Sequence, residues 1–360
     1  MVINVEFWKK KKVFITGHTG FKGGWLAFWL QILGAEVIGY ALTPPSKPNL
    51  FSIAHIQNDM VHLLGDIRDN EKLLSAIKST RPDIVFHLAA QSLVRNSYQN
   101  PVETYSTNVM GTVNLFEAIR QTDSVRAVVN VTTDKCYENK EWLWAYREND
   151  QLGGHDPYSN SKACSELITK AYRSSFFTDD ERVRLASARA GNVIGGGDWA
   201  EDRLIPDLVR AMLNRRPLHL RYPHAIRPWQ YVLNPLSGYL LLAEKLYSGS
   251  NSYADAWNFG PNESDDRTVS WVANRISTLL DKNIEIFSME TDAQPHEANY
   301  LRLDCAKVQS KLGWKPIWNL EKGLKETAQW YLAYKDNQDM RDFTLKQIND
   351  FITSLMRENI

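Results

Sequence analysis

A chain of 360 residues, 43% of them hydrophobic, is long enough to bury one large core or two smaller ones. Its 42 Lys and Arg balance 42 Asp and Glu, which removes any global electrostatic drive toward nucleic acid or an anionic membrane. No apolar run reaches the roughly 18 residues of a membrane helix, and positions 1–8 lack the apolar core of a signal peptide. Cys136, Cys164 and Cys305 are too few and too scattered for a disulfide framework or a zinc ribbon, and the eight histidines form no metal-ligand spacing. A cytoplasmic protein without metal is expected.

In chain order, the basic run from Lys9 to Lys12 reads as a solvated lead-in to the strand Lys12-Val13-Phe14-Ile15-Thr16. A helix is expected over 23–33, closed by Gly34. Strand patterns recur at 36–40, 61–64, 83–88, 125–131 and 184–188, with helical patterns at 71–79, 102–120 and 157–174. Short β-branched runs separated by helices predict an α/β fold, a doubly wound and mostly parallel sheet with right-handed crossovers. Its ligand crevice belongs at the carboxyl ends of the strands. Beyond residue 190, Gly195-Gly196-Gly197 and Pro206, Pro217, Pro223 and Pro228 predict loops and short elements, a smaller and partly discontinuous α/β region over the first. A helix over 232–247 and a strand over 256–260 could return to the main sheet. The expected division is 1–190 plus about 230–262 for a dinucleotide, 191–229 plus 263–330 for the substrate, and 331–360 as a helical tail. In that tail Phe343, Ile348, Phe351, Ile352 and Leu355 share one face, for packing on its own chain or for a subunit contact.

Three motifs carry chemistry. Gly17, Gly20 and Gly23 follow a strand and open a helix, so the turn through His18, Thr19 and Phe21 can bring backbone N–H groups to a pyrophosphate. The second strand ends in Tyr40-Ala41-Leu42, with neither an acid for a ribose nor an arginine for a 2′-phosphate, which favours NAD over NADP. Asp66 and Ile67, after the third strand, could hold the adenine edge or form a plain turn. Tyr158 and Lys162 stand four apart on a helix opened by Asp156 and Pro157, so both face one side. A nearby ammonium would draw the tyrosine toward the neutral range that a general base requires. Tyr331 and Lys335 match the same spacing but lie on a tail helix. Thr133, Asp134 and Lys135 end the strand over 125–131, where Thr133 can share a substrate hydroxyl with Tyr158. Asp134 could serve as acid and Lys135 as base, or the reverse.

This ordered set resembles the extended short-chain dehydrogenase/reductase family, and within it the nucleotide-sugar 4,6-dehydratases, which show Thr-Asp-Glu at this strand end. Lys135 departs from that pattern. With Gly17-His18-Thr19-Gly20-Phe21-Lys22-Gly23 and the run from Gly191 to Trp199, it resembles the branch whose substrate is CDP-glucose. The resemblance spans about 11–330. It implies a Rossmann domain with NAD, Leu88, Ala89 and Ala90 beside the nicotinamide, and Ser92 and Val94 near the hexose. It also implies Asn192, Arg203, Leu204, Arg227 and His296 around the nucleotide diphosphate, and a homodimer or homotetramer paired through helices at about 98–120 and 157–175. The implied reaction is oxidation at carbon 4, loss of water and reduction at carbon 6, for deoxysugar synthesis of the O-antigen type. Lys135 as the carbon-5 base demands a neutral amine, which burial or the charge of Lys162 must supply. Rival readings are a dehydratase of dTDP-glucose or GDP-mannose, a nucleotide-sugar epimerase, and a non-catalytic redox sensor that binds NAD.

Overall fold

The computed structural model describes residues 3–178, 182–249, 251–280, 284–288 and 300–357. Strand β1 (Lys12–Thr16) leads into helix α1 (Phe21–Ile32), then β2 (Glu36–Ala41), β3 (Val61–Leu64), α2 (Asn70–Thr80) and β4 (Ile84–His87). Helical turns from residue 94 feed α3 (Gly111–Arg120), followed by β5 (Ala127–Val131), α4 (Pro157–Ser175) and β6 (Arg184–Arg189). Next come α5 (Leu204–Asn214), β7 (Leu218–Leu220), β8 (Ile226–Pro228), α6 (Leu233–Tyr247) and β9 (Ala256–Asn258). The chain continues through β10 (Asp266–Thr268), α7 (Val269–Leu280) and β11 (Ile286–Ser288) to α8 (Leu320–Lys335) and α9 (Met340–Arg357).

Seven strands form one parallel sheet in the order β9-β6-β5-β4-β1-β2-β3. Its central strands are near-continuous apolar runs because helices cover both faces. Alternation divides β1: Val13 and Ile15 join the core on one face, Phe14 the core on the other. The chain winds outward from β1 through β2 and β3 and then restarts at β4 on the other side, which opens a crevice at the β1/β4 switch point. There Thr16 lies in register with both Tyr40 and His87. The return of α6 and β9 to the sheet is present, with Ala256 paired to Ser187. Two small pairings, β7 with β11 and β8 with β10, make up the discontinuous region.

Two expectations need correction. The helix over 102–120 is interrupted by a π-helical turn at Ser106–Met110. That turn brings Asn108 inward, where it accepts from Gln91 N at 2.9 Å and donates to Ser161 Oγ at 2.9 Å. The tail boundary at 331 falls inside α8. Beyond α8, α9 packs on its own chain: Ile348, Phe351 and Leu355 are buried, and the Phe351 ring meets Trp29 and Trp318 edge-on at 5.6 and 5.1 Å. Among the described residues no helix is long and apolar enough to cross a membrane.

Candidate active site

The turn after β1 requires its glycines. Gly17 has φ +78°, and a Cβ there would lie 2.6 Å from Ala89 N; a Cβ at Gly23 would lie 2.2 Å from Gly17 O. Gly20 caps α1 without a side-chain bond, so the first amides of the helix border the cleft unclaimed by a side chain. That cradle fits a pyrophosphate. Thr19 and Phe21 line it, as do Leu88, Ala89 and Ala90 on the facing loop.

His18 does not face the cleft. Its ring turns behind the turn, Nε2 2.6 Å from Nδ1 of His62 and packed where Gly39 has no Cβ. Burial, and then the neighbouring His62, push its pKa down to about 3. Asp66 does line the cleft, but Arg68 grips its carboxylate at 2.6 Å and holds it below the usual carboxylate range. Ile67 beside it is buried and packs against α3 through Gly111.

The chemistry-bearing groups meet at the end of β5. Thr133 has extended backbone, and its hydroxyl donates to Asp134 Oδ1 at 2.9 Å. Asp134 is buried with Oδ2 unpartnered. Opposite, Asp156 caps α4 by accepting from Ser159 N at 2.9 Å, with Pro157 in the first position. This start points Tyr158 and Lys162 into the same cleft as Thr133, Asp134 and Lys135. Lys162 Nζ donates to Val131 O at 3.1 Å.

Burial pushes Tyr158 up to about 12, while a hydrogen bond with Thr133 and the charge of Arg203 pull it down and Asp134 pushes it up. The expected lowering of Tyr158 by Lys162 is not found: burial dominates, and the downward pull comes from Thr133 and Arg203. Lys162 itself is lowered to about 8 by burial, against the opposing pull of Glu166 and Cys136. A further amine, Lys22 of the glycine turn, lines the cleft and is pushed down to about 7 by burial, Lys162 and Arg203, against the pull of Asp134. Sequence reasoning missed it, although it lies between two of the motif's own glycines.

Beneath this floor Glu166 and Arg189 form a buried ion pair at 2.7 Å. Thr132 and Ser187 donate to the same carboxylate at 2.5 and 2.7 Å.

The cleft, about 980 Å³, continues past these groups toward α5 and β7. Ser92, Val94, Asn192, Leu204 and Arg227 all line it. Arg203 spans that part, donating to Ser92 Oγ at 3.1 Å and pairing with Asp198 at 2.9 Å. Two arginines in one arm suit a diphosphate, whose oxygens take charge-assisted bonds. His296 lies outside the described residues.

A doubly wound sheet with an uncapped glycine turn at its switch point, and a tyrosine–lysine pair facing the end of β5, defines an extended short-chain dehydrogenase/reductase. The family model for GDP-mannose 4,6 dehydratase matches residues 14–327, and the chain belongs to that family. It is 49% identical over 360 residues to a CDP-glucose 4,6-dehydratase of Salmonella typhimurium, covering 99% of this chain and 100% of that one. It is 26% identical to a dTDP-glucose 4,6-dehydratase of Xanthomonas campestris, over 89% of this chain and 92% of that protein. Among solved structures it is similar to the dTDP-glucose 4,6-dehydratase of Bacillus anthracis in complex with NAD. That match has a TM-score of 0.74 at 25% identity and covers 91% of this chain and 98% of the other.

Proposed function

We propose that this chain is a CDP-glucose 4,6-dehydratase, an NAD-dependent hydro-lyase that converts CDP-D-glucose to CDP-4-keto-6-deoxy-D-glucose and water. One observation carries the reading: Asp134 and Lys135 line the same cleft as the Thr133, Tyr158 and Lys162 of an alcohol oxidation site. Oxidation or epimerisation alone needs no second acid/base pair; an elimination does. The base is favoured as cytosine by 49% identity to a CDP-glucose enzyme against 26% to a dTDP-glucose enzyme.

The glycine turn, with Leu88, Ala89 and Ala90 opposite it, would hold NAD, which when bound would supply a hydride acceptor for carbon 4 and a hydride donor for carbon 6, with no net redox change. Tyr158 Oη removes the carbon-4 hydroxyl proton, and Thr133 orients that hydroxyl. Lys162 stabilises the phenolate as it forms. The carbon-4 ketone acidifies the neighbouring carbon-5 hydrogen, which Lys135 takes while Asp134 protonates the departing carbon-6 oxygen. Ser92 and Val94 border the hexose, and Asn192, Leu204, Arg203 and Arg227 hold the diphosphate. The sheet region carries the cofactor, and residues 191–229 plus 263–330 carry the nucleotide sugar. Val102, Met110 and Leu167 expose 82%, 51% and 55% of their surface on the helical segment at 94–120 and on α4. We assign that face to a homodimer, in a cytoplasmic enzyme whose three cysteines are unpaired.

The test offers CDP-glucose, dTDP-glucose, GDP-mannose and UDP-glucose with NAD and identifies products by mass and NMR. A product lighter by one water from CDP-glucose, with deuterium moved from carbon 4 to carbon 6, supports the reading. A stereoisomer of unchanged mass makes the chain an epimerase instead.

A further inference from the structure

We propose that Asp207 reads the exocyclic amine of the cytosine ring and so sets the preference for cytidine over uridine and thymidine diphosphosugars. The proposal rests on the nucleotide-sugar reading above and gives its base a partner.

The direction of the substrate follows from the cleft. Its reacting hexose belongs at Tyr158 and its phosphates at Arg203 and Arg227, so the base lies farther along the same arm. There the walls are the first turns of α5 and the edge of β7, with Leu218, Leu220 and Tyr222 supplying apolar surface. Asp207 stands in this arm, three residues after Leu204 and hence over the same helix face.

Its carboxylate is held in a fixed orientation. Arg210 takes Oδ1, and the same guanidinium is pinned by the carbonyls of Trp199 and Ala200 at 2.9 and 3.1 Å. Oδ2 has no protein partner among the described residues. The neighbouring acid in the arm, Asp202, is engaged by Arg95 and Arg221. Asp207 thus brings to this end of the cleft a carboxylate oxygen beyond the one that Arg210 takes.

A nucleobase meets that acceptor differently according to its 4-position. Cytosine presents an N4 amine, which donates to a carboxylate. Uracil and thymine present O4, an acceptor that a carboxylate repels and leaves unpaired. One oriented carboxylate thus both rewards the cytidine nucleotide and penalises the other two.

The experiment measures dissociation constants of CDP and UDP by calorimetry, alongside KM and kcat for CDP-glucose and UDP-glucose. Wild type, Asp207→Asn and Arg210→Gln are compared. Wild type should prefer CDP, and Asp207→Asn should shrink that preference by about tenfold or more. The change should appear in Kd and KM rather than kcat, because an amide can turn its N–H toward O4. Arg210→Gln disturbs the same turn but keeps the carboxylate, and should still favour CDP. If Asp207→Asn keeps the wild-type ratio, or if both variants lose it equally, the assignment is overturned while the CDP-glucose reading stands. If wild type binds UDP as well as CDP and dehydrates UDP-glucose as fast, that reading falls and the assignment falls with it.

Discussion

Tyr158 with Lys162 and Tyr331 with Lys335 share one spacing, one helical geometry and two buried tyrosines, and they stand in different surroundings. Tyr158 is on the first turn of α4, facing Thr133 across the cleft at the end of β5. Tyr331 lies deep in α8, its hydroxyl donating to Asp198 O at 2.5 Å and its ring edge-on to Trp199 and Trp330 at 5.4 and 5.3 Å. Lys162 is enclosed and held by a strand-end carbonyl, whereas Lys335 is exposed. Spacing places two side chains on one helix face, but a catalytic pair also needs an open cavity before it and a substrate-orienting hydroxyl opposite. The second match has a protein carbonyl where a substrate would have to be.

The largest effect should separate these two tyrosines directly. Tyr158→Phe removes the proposed base and should lower kcat by up to about 10⁴-fold. Tyr331→Phe removes one buried hydrogen bond, costs about 1 kcal/mol of stability and leaves kcat nearly intact. Steady-state kinetics and thermal melts on both variants decide it; equal loss of kcat would erase the distinction between the sites.

The support under each pair differs as well. One turn beyond Lys162, Glu166 is fully enclosed with Arg189, and this charge together with Thr132 and Ser187 holds its carboxyl below the usual range. Glu166→Ala leaves a buried guanidinium without its counter-ion and should cost about 3–5 kcal/mol of unfolding free energy. Beside the second match, the half-exposed Lys322 pairs with the buried Glu326, whose carboxylate also accepts from Gln347, and Lys322→Ala should cost about 1 kcal/mol. Denaturant titration measures both, and similar costs would mean that α4 has no special foundation.

A third test concerns what the first tyrosine has beside it and the second lacks. Asp134→Asn keeps the hydrogen bond from Thr133 but cannot protonate a leaving oxygen, and should slow loss of water by about 10²-fold while reduction of NAD by CDP-glucose survives. Lys135→Met should show the same split. Rapid-mixing absorbance at the reduced nicotinamide follows the first step, and product mass the last. Parallel loss of both steps would remove these residues from the elimination.

Where the sequence was legible, the cause was local. Val13-Phe14-Ile15 and Val128-Val129 read as buried strands because burial on both faces leaves an unbroken apolar run. The glycine turn, the Asp156 cap and the Thr133 strand end follow the same logic of neighbours in sequence. What escaped depends on partners far along the chain. The direction of His18 is decided by His62, 44 residues away, and by the space at Gly39. The depressed pKa of Lys22 comes first from burial by the rest of the fold and then from Lys162 and Arg203. The π-turn at Asn108 answers to Gln91 and Ser161. The buried Arg189 was invisible as a site element, because arginine in a strand carries no sign of the Glu166 that meets it from α4.

The smallest expected effect is the most discriminating, because it runs against activity. Lys162 titrates at about 8 in the folded chain against the ordinary 10.5, so the unfolded chain holds the proton more readily. Burial of the ammonium therefore costs stability in full below about pH 8, and the cost is relieved as pH rises from about 8 to 10.5. Lys162→Met gives up the bond to Val131 O but removes the buried charge, and at pH 7 should raise stability by on the order of 1–2 kcal/mol while abolishing turnover. Lys335→Met, on an exposed side chain, should change neither. Thermal melts from pH 6.5 to 10 should show the Lys162→Met advantage shrinking above pH 8. An advantage that ignores pH, or a loss of stability at pH 7, would mean that Lys162 is not held as a strained cation at the site, and the contrast with Lys335 would rest on exposure alone.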